Sequence, residues 1–155
     1  MTKIYVDIDG VIGDFMHHFN STIRKGGLDA NDLDDYKKEI LDFKDWWLRM
    51  PVMPDARRLM DFLKPYKPYI LSACPQWDPG GIDEKKEWSE KHFNIPNNRI
   101  FIVKRSDKQK YAKEGDILID DYDKNIKEWE NAGGTGILHT SAAQTIHKLT
   151  GLGFS

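Results

Sequence analysis

The sequence predicts an α/β protein: a Rossmann-like three-layer core with a parallel sheet of about five strands and a small helical cap inserted after strand one. Three observations lead there. Short apolar strand patterns alternate with helical ones along the chain, the pattern of a parallel sheet with helices on both faces. No internal repeat, low-complexity tract or linker interrupts them. The 155 residues, 39% hydrophobic and 31% charged, match one domain with enough apolar surface for a packed core.

Taken in order, Lys3 to Asp9 sets Ile4, Val6 and Ile8 against Tyr5 and Asp7, the alternation of a strand. From Asp14 to Arg24, Phe15, Phe19 and Ile23 recur at helical spacing, and Gly26-Gly27 is expected to stop that helix. Asn31 to about Met50 is charged and helix-prone, with Leu33, Tyr36, Ile40, Leu41 and Phe43 as its apolar stripe. Pro51 and Pro54 close this section. Asp55 is placed to cap a helix through about Leu63, with Ala56, Leu59, Met60 and Leu63 turned inward.

Tyr69-Ile70-Leu71 reads as a buried strand ending at Ser72, and Pro75 to Gly81 as a loop. Asp83 is expected to cap a helix through about Phe93. Ile100–Val103 and Ile117–Ile119 give the third and fourth strands, the latter running into Asp120-Asp121. Asp123 is expected to cap a helix with Ile126 and Trp129 inward, and Gly133 to end it. Gly136-Ile137-Leu138 forms a fifth strand, and Thr140 or Ser141 opens the last helix. The domain reading that follows is a core of residues 1–14 and 52–155 with a helical cap insert at 15–51.

Composition narrows the function. Twenty-three basic and 25 acidic residues leave a net charge of −2, which argues against a nucleic-acid polymer as partner. One cysteine, Cys74, excludes an internal disulfide and a zinc site of several thiolates. No apolar run approaches the ~18 residues of a membrane span. The start MTKIYVDIDG lacks a signal-peptide layout, so the expected location is cytoplasmic and no membrane partner is expected.

The chemistry-bearing residues fall at strand ends, where ligands bind in open parallel sheets. Strand one ends in Asp7, Asp9 and Gly10, and residues two apart on a strand face the same way. Strand four ends in Asp120 and Asp121. Acids at the end of a buried strand are costly unless paired or bound to a cation. Asp7, Asp120 and Asp121 therefore read as a hard oxygen site suited to Mg²⁺. Ser72 has a hydroxyl that donates to an anionic oxygen. Lys108, with Lys104 as its competitor after strand three, offers a point charge to a dianion.

Together, D-I-D-G-V with Asp14, the strand-end Ser72, Lys108 and L-I-D-D-Y resemble the four motifs of the haloacid dehalogenase superfamily of phosphohydrolases. The double aspartate and D-x-D-G-V resemble the 5'(3')-deoxyribonucleotidase group of cells and bacteriophages in particular. The resemblance implies roles. Asp7 is the nucleophile that takes the phosphoryl group, and Asp9 is the general acid and base with its backbone carbonyl on Mg²⁺. Ser72 and Lys108 hold phosphoryl oxygens. Asp120 ligates the metal, with Asp121 as a further ligand or just behind it.

The expected activity is Mg²⁺-dependent hydrolysis of a small-molecule phosphate ester, a nucleoside monophosphate before others. Phe43, Trp46 and Trp47 crowd the otherwise charged insert, and one of these rings is expected to stack on a nucleobase. The rivals are a phosphatase of another metabolite, such as a sugar phosphate, and a catalytically silent binding domain. Of the remaining candidates, Cys74 and His17-His18 read as packing, Gly133 to Gly136 as a helix stop, and Thr140-Ser141 as a helix cap.

Overall fold

The computed structural model describes residues 1–24 and 30–155. Strands β1 (Ile4–Val6), β2 (Tyr69–Ala73), β3 (Ile100–Val103), β4 (Ile117–Asp120) and β5 (Thr135–Leu138) form one parallel sheet in the order β3-β2-β1-β4-β5. The register sets Val6 between Ile70 and Ile119. The chain winds outward from β1 through β2 to β3, then crosses to the other side of β1 for β4 and β5. The reversal opens a crevice at the carboxyl ends of β1 and β4.

Strand alternation decides the two layers. Ile4, Val6, Ile70, Ile100, Ile102, Ile117 and Ile119 join one core, and Tyr5, Leu71 and Leu118 join the other with Trp129. The first face is covered by α3 (Ala56–Leu63), α4 (Pro79–Phe93) and α6 (Ala142–Gly151), through Leu59, Leu63, Trp88 and Leu149. The second is covered by α5 (Asp123–Asn131).

Three caps differ from the sequence reading. Asp55 precedes α3, yet its Oδ2 accepts from the Ala142 N–H at 2.7 Å and so ties the start of α6 to the start of α3. The fourth helix begins earlier than Asp83: Asp78 caps it through the Gly81 N–H at 3.1 Å, with Pro79 in its first turn. Asp123 is already helical and pairs with Lys127 at 2.7 Å. Ser141 caps α6 as expected, accepting from the Gln144 N–H.

In the insert, α1 (Phe15–Thr22) begins at Asp14, whose carboxylate accepts from the His17 N–H. The helix stop expected at Gly26-Gly27 lies outside the described residues. The helix-prone stretch from Asn31 to about Met50 forms a 3-10 helix at Ala30–Tyr36, a short α2 (Lys37–Asp42) and turns. Leu41 is 52% exposed and stands off the apolar stripe. Phe19, Ile40, Trp46 and Trp47 make a separate buried cluster, which meets the main core through Phe15. Among the described residues, no helix is long and apolar enough to cross a membrane.

Candidate active site

The first strand carries its pairing one step past Val6: the Asp7 N–H donates to the Ile119 carbonyl at 3.0 Å. That bond seats Asp7 beside Asp120 at the reversal point. The chain then folds back on itself, with the N–H groups of Val11, Ile12 and Gly13 all directed at the Ile8 carbonyl. Gly10 has φ +81°, and a Cβ there would collide with the Asp121 carboxylate. Glycine at position 10 thus lets the β4 acids close on the loop after β1. Extending the β1–β2 register puts Ser72 level with residue 8, on the side of β1 away from Asp120.

The site is buried and strongly charged. Asp7, Ser72, Lys108 and Asp120 are each at most 5% exposed. Lys108 Nζ lies 2.7 Å from Asp120 Oδ2 and 3.1 Å from Asp7 Oδ1. Burial alone would lower the lysine pKa, but Asp7 and Asp120 carry it above the usual lysine value. Asp120 also accepts from Asn125 Nδ2 at 3.1 Å and from the Tyr122 N–H at 3.0 Å. Burial, then the charge of Asp7, still push its carboxyl up to about 6. Asp121 is exposed on one side. Loss of water on the other, with Asp7, Asp120 and Asp9 nearby, pushes it up to about 8.

Two buried atoms at this edge lack hydrogen-bond partners: Ser72 Oγ and Asp9 Oδ1. Such groups are rare in interiors and call for a reason. At this edge both suit a polar ligand. Carboxylate oxygens of Asp7, Asp120 and Asp121 lie within 4.8 Å of one another. Three convergent hard oxygens, two of them with raised pKa values, fit a divalent cation such as Mg²⁺. The Asp9 carboxylate stands outside this trio.

The structure brings Asp7, Asp9, Lys108, Asp120 and Asp121 to one place. Of the two lysines after the third strand, Lys108 is buried between Asp7 and Asp120, whereas Lys104 is exposed. The aromatic expectation is corrected for Trp46 and Trp47. Trp46 and Trp47 are each 1% exposed. Trp46 stacks on His18 and donates to Thr22 Oγ1 at 2.7 Å; Trp47 donates to Asp78 Oδ2 at 2.7 Å. Phe43 is half-buried in the same cluster, with the Arg49 guanidinium over its ring. Trp46 and Trp47 offer no free face to a base, because a short insert needs them as its own core, while Phe43 keeps part of its surface exposed. Cys74 and His18 are buried and packed as read from the sequence.

Two polar partners of the site escaped the sequence reading. Asn125, on the first turn of α5, bridges Asp120 to Arg105. Lys85, on α4, is 0% exposed and donates to Asp9 Oδ2 at 2.8 Å and to the Ala73 carbonyl at 2.6 Å. In the charged run D-E-K-K-E it resembles a solvated lysine. Its spacing from Gly81 and Trp88 was the available signal, since all three share the inner face of α4.

The family described as "5' nucleotidase, deoxy (Pyrimidine), cytosolic type C protein" matches residues 1–150. No curated protein matches the chain. Among solved structures, a hydrolase from Streptococcus pneumoniae TIGR4 is similar at TM-score 0.55 and 14% identity, over 96% of this chain and 97% of that one. A Had-superfamily hydrolase from Ehrlichia chaffeensis is similar at TM-score 0.55 and 11% identity, over 98% of both chains. A HAD family hydrolase from Deinococcus radiodurans R1, solved with bound phosphate and sodium, is similar at TM-score 0.50 and 14% identity, over 94% of this chain and 87% of that one. At these identities the three structures speak to the fold.

Proposed function

The chain belongs to the 5' nucleotidase, deoxy (pyrimidine), cytosolic type C family of phosphomonoester hydrolases, and from that premise we propose that it is a cytoplasmic Mg²⁺-dependent nucleotidase acting on nucleoside monophosphates. The observation that carries the reading is the buried edge itself. An acid nucleophile candidate and the lysine paired with it meet where the sheet order reverses, and a serine hydroxyl without a partner stands on the neighbouring strand β2.

In this reading an Asp7 carboxylate oxygen attacks phosphorus and forms an aspartyl-phosphate, dividing the hydrolysis into two displacements. Ser72 Oγ donates to one phosphoryl oxygen. Lys108, already held between Asp7 and Asp120, offers its charge to another. Asp9 protonates the leaving alcohol, then takes a proton from the water that cleaves the intermediate. Asp7, Asp120 and Asp121, with the Asp9 backbone carbonyl, would hold Mg²⁺. Bound there, the ion supplies charge neutralisation between the carboxylate and the phosphate dianion. Residues 1–14 and 52–155 form the catalytic core, and 15–51 a cap held by its own aromatic cluster.

The burial of Trp46 and Trp47 favours a second reading, a phosphatase of another small metabolite such as a sugar phosphate. One screen separates the two: phosphate release from nucleoside monophosphates and sugar phosphates, with Mg²⁺ and with EDTA. Turnover of nucleotides first, lost with EDTA and restored by Mg²⁺, is the expected result. Faster turnover of sugar phosphates selects the second reading, and full activity after exhaustive chelation contradicts the metal.

A further inference from the structure

Burying an ammonium is costly, so Lys85 at 0% exposure needs an explanation. Its surroundings supply one. Nζ donates to Asp9 Oδ2 at 2.8 Å and to the Ala73 carbonyl at 2.6 Å, and it lies 4.8 Å from the centroid of the Trp47 ring. Two hydrogen bonds and one aromatic face fix the ammonium in a single orientation. The frame around it is fixed in turn. Asp78 accepts from Trp47 Nε1 with one oxygen and caps α4 with the other. Gly81 has no side chain, and a Cβ there would strike Trp47 Nε1 and Cys74 Sγ. The helix that carries Lys85 and the ring above it are locked together.

The consequence falls on Asp9. Lys85 occupies Oδ2, whereas Oδ1 is buried with no partner. We infer that Lys85 is a positioning residue for proton transfer, clamping Asp9 by Oδ2 so that Oδ1 alone faces the reacting oxygens. The inference rests on the reading of Asp9 as general acid and base. In the first half-reaction the Asp7–phosphorus bond forms and the bond from phosphorus to the leaving oxygen breaks. The proton on Asp9 Oδ1 passes to that oxygen. In the second, water attacks phosphorus, a water proton returns to Oδ1 and the Asp7–phosphorus bond breaks. An unclamped carboxylate would rotate and present either oxygen, losing the alignment that proton transfer needs. Trp47 acquires a part in this arrangement, as the wall against which Lys85 is held.

The test is a double-mutant cycle on the first half-reaction, by rapid-quench single turnover with Mg²⁺. One substrate is a nucleoside monophosphate, whose alcohol needs a proton to leave. The other is p-nitrophenyl phosphate, whose phenolate does not. Lys85→Met is expected to slow the nucleotide step by roughly 10²-fold, the lower part of the range for general acid catalysis, and the p-nitrophenyl step by less than about threefold. In an Asp9→Asn background, Lys85→Met should add nothing further to the nucleotide step. Lys85→Gln, which keeps one donor, should recover part of the rate, and it serves in the same cycle if Lys85→Met does not fold. Equal slowing of both substrates, or a full additive loss in the Asp9→Asn background, would make Lys85 structural and overturn the assignment alone. No phosphate release from either ester by the wild type would overturn the proposed function along with it.

Discussion

The insert core and the carboxyl edge of the sheet both bury large side chains with polar atoms, yet they treat those atoms differently. In the insert, the Trp46 and Trp47 N–H groups each find an oxygen at 2.7 Å, and His18 Nε2 meets the Trp46 carbonyl. At the sheet edge, Asp7, Asp120 and Asp121 crowd together, while Ser72 Oγ and Asp9 Oδ1 have no partner. Unsatisfied groups in a folded interior cost stability and call for a reason; Asn20 Oδ1 on α1 is one in the insert, but at the sheet edge two such atoms accompany three convergent carboxylates. On the proposed reading, the tryptophans of the insert are architecture and the sheet edge carries the chemistry.

The sharpest break in the contrast is Asp7→Asn. The change is nearly isosteric but removes the nucleophile, so turnover should fall roughly 10⁴-fold or more with a native circular dichroism spectrum. Folded protein with near wild-type turnover would remove Asp7 from the mechanism. The opposite pattern is expected for Trp46→Ala. Emptying a buried tryptophan site should cost about 3–5 kcal/mol in a urea melt. Turnover of the folded fraction should be unchanged for both a nucleoside monophosphate and p-nitrophenyl phosphate. A raised KM for the nucleotide alone would return that ring to base recognition.

Ser72→Ala sharpens the comparison on one atom. Its hydroxyl is buried without a partner, so removal should not lower the melting temperature. Turnover should nonetheless drop roughly 10²-fold, the low end for loss of one donor to transition-state charge. Lowered stability with unchanged turnover would place Ser72 in the architecture instead.

The smallest effect expected is a pair of opposite pH slopes in EDTA. At the site, the folded-state pKa values of Asp120 and Asp121 are raised to about 6 and about 8. The unfolded acids release protons first, so stability present at low pH is lost as pH rises through those values. His18 is lowered by burial, so its contribution is held above the ordinary histidine range and lost as pH falls. In EDTA the two acids should lower the melting temperature as pH rises from about 4 to about 8, whereas His18 should lower it as pH falls below the ordinary histidine range, so the two slopes oppose each other over the acid side of neutrality. Asp121→Asn should remove only part of the decline with rising pH, and His18→Gln only the decline with falling pH. A single variant that removes both slopes would mean the two regions are not separable.

Much of this was legible in the sequence because strand ends are readable. The apolar runs I-Y-V and I-L-I, each ending at an aspartate, mark where β1 and β4 stop and so gather Asp7, Asp120 and Asp121 from the sequence alone. Lys108 stood one helical turn from Lys104, and burial between two acids separates them. Residues whose role depends on a neighbour far along the chain stayed hidden. Lys85 lies 76 positions from Asp9, and its helix begins at Asp78, a turn before the cap expected at Asp83. The insert was hardest, because a helix-prone pattern does not say which rings pack inward, and Trp46 and Trp47 are buried with Phe19 and Ile40.

The covalent role of Asp7 is tested most directly by trapping it. A single turnover with Mg²⁺ and a nucleoside monophosphate, quenched in acid and digested, should show one phosphoryl group on the peptide carrying Asp7, formed before phosphate is released and absent in Asp7→Asn. Phosphate released at full rate with no phosphorylated Asp7 at any time point would contradict the account.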